Sequence, residues 1–309
     1  MKKIRWHHIV VFLCAVLVSS QANAQQRIVF SQYMFHGLSV NPAYTGSDDF
    51  LNVALQARNQ WVGLEGAPTS QLFTLHGPLK NRKHIGLGVV AERQQLGVSE
   101  FTSFFGTYAY QLSLGRSSLA FGLQAGLVSY NQQLSALNTQ LLVDPNFVQD
   151  ISILRPNAGA GLYLKNEKYY LGLSVPYLIQ NTEKNPEGIT IVEQNRHYFF
   201  SGGYLLSLSR NFKLKPNFLV QAVDGIPLNV NVNLNGLIND VLWLGVSYQL
   251  NQTFTSLVEV LVNKKLSFGF SYDFTSTSLN QVSSGSPEIF LTYRFVKDIP
   301  DRIMTPRYF

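Results

Sequence analysis

Residues 228–235 read Leu-Asn-Val-Asn-Val-Asn-Leu-Asn. Successive side chains of a β-strand point to opposite faces, so this stretch predicts a strand with one apolar face and one amide face. A helix would scatter both sets around its circumference. Asparagine is a poor strand former, so the two faces must meet different surroundings. A strand between lipid and a water-filled lumen meets that condition, and a surface strand of a soluble sandwich also fits.

Short alternating segments of the same kind recur along the chain, separated by turn residues. The first, residues 51–58, places Leu51, Val53, Leu55 and Ala57 on one face. The predicted strands are 51–58, 70–76, 84–92, 99–112, 118–130, 157–164, 169–175, 196–209, 214–223, 228–235, 241–250, 253–262, 266–274 and 288–295. This count of about 14 is even, as in single-chain bacterial outer-membrane barrels.

The lengths of the connections separate a barrel from a sandwich. Counted from 51–58, the connections after even-numbered strands are mostly tight, whereas the long ones, 131–156, 176–195 and 275–287, follow odd-numbered strands. Long loops at one end and short turns at the other are typical of outer-membrane barrels. We therefore predict an all-β fold, a transmembrane antiparallel β-barrel of outer-membrane type over residues 50–295. Its long loops are expected outside the cell and both termini in the periplasm. Pro216 cannot donate to a ladder, so we expect it at the start of its strand.

The first 24 residues have the pattern of a secretory signal peptide. Lys2, Lys3 and Arg5 precede an apolar run, and Ala22-Asn23-Ala24 forms a small-residue cleavage site. The only cysteine, Cys14, lies in this leader, so no disulfide or cysteine metal site is expected in the mature chain. Removal of the leader takes 3 of the 24 basic residues and none of the 18 acidic ones, which leaves a net charge of +3. That charge is too weak to indicate nucleic-acid binding.

Two segments flank the predicted barrel. Residues 25–49 are rich in apolar and aromatic side chains but do not alternate as a strand does. We expect them to form a periplasmic or plug-like segment, packed at the mouth or inside the barrel. Residues 296–309 follow the last strand and contain Pro300 and Pro306. They are either a frayed periplasmic tail or a docking peptide for periplasmic machinery.

Several strings near the N-terminus resemble the start of PorP/SprF proteins. The matching residues are Gln32, Tyr33, Asn41, Pro42, Ala43, Tyr44, Gly46, Arg58, Gln60, Trp61, Gly66, Ala67 and Pro68. The N-terminal strings are specific, whereas the strands that follow them are generic. The resemblance implies an integral outer-membrane component of the type IX secretion system. It further implies export or surface attachment of secreted proteins, including adhesins of gliding motility, so secretion components and a surface adhesin are the expected partners.

The sequence shows no recognisable catalytic motif, so we predict a protein that is not an enzyme and that needs no cofactor or metal. Charged residues recur on the predicted inward faces of the strands. They are Arg58, Glu92, Glu259, Asp273, Glu288 and Arg294. These charges either pair with one another in a hydrated lumen or grip a passenger.

The longest predicted loop contains apolar residues that could bind a partner or fold over the pore. They are Leu134, Leu137, Leu141, Leu142, Phe147 and residues 151–154. The predicted function is therefore that of a monomeric, lipid-embedded barrel that docks a partner. The alternative is a passive or hydrophobic-solute channel, and the sequence leaves open whether the lumen is open or plugged.

Overall fold

The computed structural model of the chain describes residues 29–48, 50–136, 150–184, 190–250 and 252–296. The predicted leader and residues 297–309 lie outside the described residues, as do Leu137, Leu141, Leu142 and Phe147 of the apolar loop set. Within the described ranges, no helix combines the length and the apolar composition needed to cross a membrane.

The described chain is built almost entirely from strands. They are β1 (Leu51–Asn59), β2 (Thr69–Leu79), β3 (Arg82–Leu96), β4 (Ser99–Leu114), β5 (Ser117–Gln132), β6 (Ile151–Lys165), β7 (Tyr169–Val175), β8 (Asn181–Lys184), β9 (Thr190–Gln194), β10 (His197–Tyr204), β11 (Leu206–Ser207), β12 (Phe212–Val223), β13 (Ile226–Ile238), β14 (Leu242–Gln249), β15 (Thr253–Leu261), β16 (Leu266–Thr275) and β17 (Ser286–Phe295). Short 3-10 helices occupy Gly37–Ser39, Pro42–Tyr44, Leu134–Ala136 and Ser278–Gln281.

The main sheet closes on itself. Its order runs from β10 through β7 down to β1, then from β17 down to β11, and β10 also pairs with β12. β10 and β11 are one strand interrupted at Leu205, so the 15 segments of the sheet make 14 barrel strands, all paired antiparallel. β8 and β9 form a separate hairpin. This closed antiparallel sheet confirms the predicted fold class. Closure removes the open sheet edges that a membrane does not tolerate.

Strand β13 shows how the sequence sets the two faces of the wall. Leu228, Val232 and Leu234 are exposed on the outside, whereas Asn233 and Asn235 are buried inside. The same alternation runs through β1, where Leu51 and Leu55 point outward and Arg58 points inward. The outer face is therefore apolar, as lipid requires, and the inner face is polar.

The two ends of the barrel differ. At the short-turn end, β13 and β14 are joined by Asn239 and Asp240, with φ of 52° and 56°, which suits a tight hairpin. The long connections lie at the opposite, long-loop end, between β1 and β2, β5 and β6, β7 and β10, and β16 and β17.

Two local expectations were wrong. Pro216 lies well inside β12, not at its start. It is tolerated there because the neighbouring strand breaks at Leu205, where the ladder to β12 is interrupted. Residues 151–154, expected in a loop, belong to β6, because they pair with the end of β5, for example Leu154 with Ser129.

The N-terminal segment, residues 29–48, lies inside the barrel. Val29 and Phe30 pack beside Leu72 and Phe199 in the long-loop half of the lumen. At its other end, Ser47 accepts a hydrogen bond from Lys165, the last residue of β6, at the short-turn end. The segment, called the plug below, therefore descends through the lumen before the chain enters β1.

The outward face of β13 gives a direct test of the membrane boundary. Leu234→Arg should destabilise the folded barrel by about 2–4 kcal/mol, because the charge would enter the hydrocarbon. Val241→Arg, exposed at the short-turn end, is the matched control and should cost about 0–1 kcal/mol. Reversible urea unfolding in lipid vesicles measures both, and equal costs would contradict the assigned lipid face.

Candidate functional site

A buried charge cluster fixes the upper part of the plug. Arg58 Nη2 lies 2.5 Å from Asp273 Oδ2, and Arg58 Nη1 lies 3.0 Å from Glu288 Oε2. The plug adds donors: the Ser31 and Gln32 backbone N–H groups donate to Glu288 at 2.8 and 3.1 Å. The Ser31 hydroxyl donates to Asp273 at 2.9 Å. We call these five residues the clamp.

The clamp works because each buried charge has partners that offset its loss of hydration. Arg58 is 6% exposed and Glu288 is 1% exposed, so neither reaches bulk water. A buried ion pair survives desolvation only when further hydrogen bonds satisfy its remaining lone pairs and protons. Two carboxylates face one guanidinium here, and N–H and O–H groups of the plug, together with the Gln56 amide of β1, add further donors. Plug and wall therefore depend on each other electrostatically.

The asparagines of β13 hold the middle of the plug to the wall by hydrogen bonds. Asn233 Nδ2 donates to the Tyr33 hydroxyl at 2.7 Å. Asn217 and Asn235 in turn donate to Asn233 Oδ1 at 2.8 and 3.0 Å. This amide network accounts for residues with poor strand propensity on the inner face of β13, because their amide N–H groups hydrogen-bond to the plug and to one another inside the barrel.

The lower part of the plug lies directly on a wall of glycines. Asn41 Oδ1 caps the helix Pro42–Tyr44 by accepting from Ala43 N at 2.9 Å, and Asn41 Nδ2 donates to the Leu162 carbonyl at 2.9 Å. A Cβ atom on Gly122 would overlap the Ala43 backbone, and one on Gly161 would overlap the Asn41 side chain. The plug thus approaches the wall at these two positions more closely than any larger wall residue permits.

The rim loop, residues 60–68, lies at the long-loop end and is pinned to the connection before β17. Val62 N donates to the Gly285 carbonyl at 2.9 Å, and Ser284 N donates to the Val62 carbonyl at 2.8 Å. Trp61, with φ of 49°, donates its backbone N–H to Ser286 Oγ at 3.0 Å. The side chains of Val62, Leu64 and Val282 remain 41%, 38% and 56% exposed. The rim therefore carries apolar groups on a hydrogen-bonded base.

The family model for the type IX secretion system membrane protein PorP/SprF matches residues 22–293. The chain belongs to the PorP/SprF family. No curated protein sequence matches it.

Among solved structures, this PorP/SprF protein is similar to the CymD monoaromatic hydrocarbon channel. The TM-score is 0.53 at 14% identity, over 87% of this chain and 94% of that one. It is also similar to the toluene transporter TbuX of Ralstonia pickettii, with a TM-score of 0.51 at 10% identity, over 85% and 92% of the two chains. At these identities the likeness establishes the outer-membrane barrel fold and nothing finer.

The residues that carried the PorP/SprF resemblance fall into two groups in space. Those in the plug are Gln32, Tyr33, Asn41, Pro42, Ala43, Tyr44 and Gly46, all buried. Those at the long-loop end are Gln60, Trp61, Gly66, Ala67 and Pro68. Arg58 lies between the groups, in the clamp. One group thus belongs to the plug–wall contact and the other to the rim.

The six predicted lumen charges are distributed over three places. Arg58, Asp273 and Glu288 meet in the clamp. Glu92 accepts from Gln94 at 2.5 Å and from the Tyr177 hydroxyl at 3.4 Å. Glu259 and Arg294 line a cavity at the short-turn end. In the described residues, no group of three or more histidine, cysteine, aspartate or glutamate side chains could hold a metal ion.

Several residues of the site were not identified from the sequence. No sequence pattern marks Ser31, and its role becomes visible only from its contact with Asp273 in the structure. Tyr177 follows the end of β7 and is 2% exposed, because the chain turns inward at Pro176, whose carbonyl accepts from Gln124 at 2.9 Å. Pro176 was the sequence signal for this inward turn, since a proline cannot continue a central strand.

Removing the guanidinium of the clamp should loosen the plug. Arg58→Gln leaves Asp273 and Glu288 buried without their cation, and breaking such a pair costs about 3–5 kcal/mol. With Ser39→Cys as a probe in the plug, thiol labelling of the membrane-embedded protein should speed up at least about tenfold.

The control for this variant is Arg93→Gln, which removes the same charge from an exposed pair with Glu100 at 2.6 Å. Exposed pairs contribute little to stability, so labelling of the Ser39→Cys probe should stay at the parent rate. Equal rates for the two arginine variants would contradict the role of the clamp.

A side chain added to a glycine of the barrel wall should destabilise the protein on the inner face and have little effect on the outer face. Gly122→Val should displace the plug and destabilise the barrel by about 1–3 kcal/mol, because overpacking forces the backbone to shift. Gly106→Val, on the outer face where a Cβ has room, should be nearly neutral. Urea unfolding and the Ser39→Cys labelling rate read out both variants, and a harmless Gly122→Val would refute close plug contact.

Proposed function

We propose that the protein is a non-enzymatic outer-membrane docking component of the type IX secretion system. In this role it binds a secreted protein, such as a surface adhesin, at the long-loop end and supports its export or anchoring. The barrel is proposed to act as a monomer, with the long loops outside the cell and the short turns in the periplasm. In this proposal the plug is a fixed part of the barrel interior and not a transported segment.

The observation that carries this proposal is the combination of a filled lumen and an apolar rim. The clamp, the amide network and the glycine wall hold the plug along the length of the lumen, which disfavours a wide passage for solutes. Val62, Leu64 and Val282 are exposed beyond the strands, on a base of backbone hydrogen bonds. An exposed apolar patch of this kind supports a protein-binding surface at the long-loop end.

Charge placed on the rim should abolish docking without affecting the barrel. The double variant Val62→Glu/Val282→Glu keeps the backbone bonds of the rim loop but makes its apolar surface acidic. In the native bacterium, the surface-attached proteins released by protease shaving and quantified by mass spectrometry should include at least one secreted protein reduced about tenfold or more.

Val262→Glu is the matched control, since Val262 is 57% exposed at the short-turn end. It should leave the surface proteins at wild-type amounts. An unchanged surface proteome in the rim variant, with the barrel present at its normal level, would overturn the docking role.

The alternative function, a passive or hydrophobic-solute channel, makes a different prediction. CymD is described as a hydrocarbon channel and TbuX as a toluene transporter, and a similar role here would require passage past the plug. Steady conductance or solute uptake by the wild-type protein in reconstituted bilayers, with no protein partner, would favour that role over docking.

A further inference from the structure

The two ends of the barrel carry opposite charge in the connections between successive wall strands. At the short-turn end these connections contain six basic and two acidic residues, whereas at the long-loop end they contain two basic and seven acidic residues. The six basic residues are Lys80, Arg116, Lys168, Arg210, Lys264 and Lys265. The docking proposal concerns the rim at the opposite end, so it assigns these cations no role.

The turn between β2 and β3 is the most basic of these connections, because β3 itself begins with two cations. Lys80, Arg82 and Lys83, called the basic turn below, are all exposed. No aspartate or glutamate occurs between residues 66 and 91, and none of the three cations forms an ion pair with a described residue. Like charges this close together repel one another, and an anion bound beside them offsets the repulsion.

The outer face of the wall next to the basic turn is apolar. Successive side chains of β3 alternate between the two faces, so Lys83, Ile85 and Leu87 point to the same side. On β4, Tyr110 is the cross-strand neighbour of Ile85, and Tyr108 is that of Leu87. Leu87 and both tyrosines are exposed on the outside. The surface is therefore cationic at its end and apolar towards the middle of the membrane, which matches the headgroup and the acyl chain of an anionic lipid.

Aromatic side chains place the basic turn at the level of the lipid headgroups. The imidazole of His84 packs edge-on against the ring of Tyr110, with ring centroids 5.4 Å apart. Tyr204, Phe212 and Tyr293 are likewise exposed near the short-turn end of other wall strands. Aromatic rings of outer-membrane barrels gather at the membrane–water interface. The basic turn follows these rings at the end of the wall, where the phosphate groups of the lipids lie.

The distribution of the cations favours lipid over a protein partner. Cations occur in five of the six short turns around the circumference, and lipid surrounds a barrel on every side, whereas a protein would cover one sector. Exposed Leu112 and Leu114 precede Arg116, and exposed Val262 precedes Lys264. A cation beside exposed apolar side chains suits a ligand that is itself amphipathic.

We propose that the basic turn is a binding site for an anionic phospholipid. The lipid phosphate accepts hydrogen bonds from the Arg82 guanidinium and from the ammonium groups of Lys80 and Lys83, which are strong donors to phosphate. One acyl chain lies along Ile85 and Leu87 on the outer face of β3. The site is separate from the rim, so its failure would leave the docking proposal intact.

Native mass spectrometry of the full barrel in mild detergent resolves individual bound lipids and tests the site directly. The probe is phosphatidylglycerol, which has a net negative charge, and the comparison is phosphatidylcholine with the same acyl chains and no net charge. The first phosphatidylglycerol should bind at least about tenfold tighter, because each nearby cation adds to the attraction of an anionic lipid. Equal affinities for the two lipids would overturn the proposal. Glycerol phosphate at the same concentration should not displace the lipid, and displacement would indicate a site for free phosphate instead.

Two double variants locate the lipid on the wall. Arg82→Gln/Lys83→Gln should weaken binding of the first phosphatidylglycerol at least about fivefold. The matched control, Arg210→Gln/Lys264→Gln, removes the same number of exposed cations from two other short turns and should leave that affinity at the wild-type value. Equal losses in the two variants would indicate diffuse attraction by the whole end of the barrel and contradict the assigned site. If a variant fails to fold, the comparison of the two lipids on the wild-type protein remains decisive.

Discussion

The structure depends on one constraint: polar and charged side chains that line a closed barrel must find partners inside it. Closure of the sheet leaves no open edge but leaves half of all strand side chains pointing inward. The clamp shows how this is resolved. Asp273 and Glu288 share Arg58 and accept further hydrogen bonds from Ser31 and Gln32 of the plug and from Gln56 of the wall. The plug is thus the complement of the wall, and neither is electrostatically complete without the other.

This complementarity accounts for features of the sequence that are otherwise puzzling. Four asparagines in one strand oppose strand propensity, yet Asn233 and its neighbours bind Tyr33 and one another. Glycines at 122 and 161 weaken their strands, yet they make room for the Ala43 backbone and the Asn41 side chain of the plug. In both cases a local cost in strand stability is offset by a contact with a segment that lies far away in the chain. Residues selected for such contacts are characteristic of a specific interior and not of a generic pore lining.

The architecture could be predicted from the sequence because its signals are local. The alternation of residues 228–235 predicted the two faces of β13. Long connections after odd-numbered strands and tight turns after even-numbered ones indicated two unlike barrel ends. The pairing inside the lumen could not be predicted, since it depends on how the plug aligns with the wall. The two-residue alternation of strand side chains predicts that Arg58 points inward, but it does not predict the contact between Arg58 and Ser31. Pro216 was misplaced for a related reason: the break at Leu205 that accommodates it lies in a different strand.

The path of the plug also places it behind the closing seam of the barrel. Residues 29–48 run down the lumen and lead into β1, and the two ends of the strand meander meet where β1 pairs with β17. Arg58 and Glu288 face each other across that seam, and Ser31 bonds to the same carboxylate from within. The contact between the first and last strands of the barrel is therefore shared with the N-terminal segment that lies behind it.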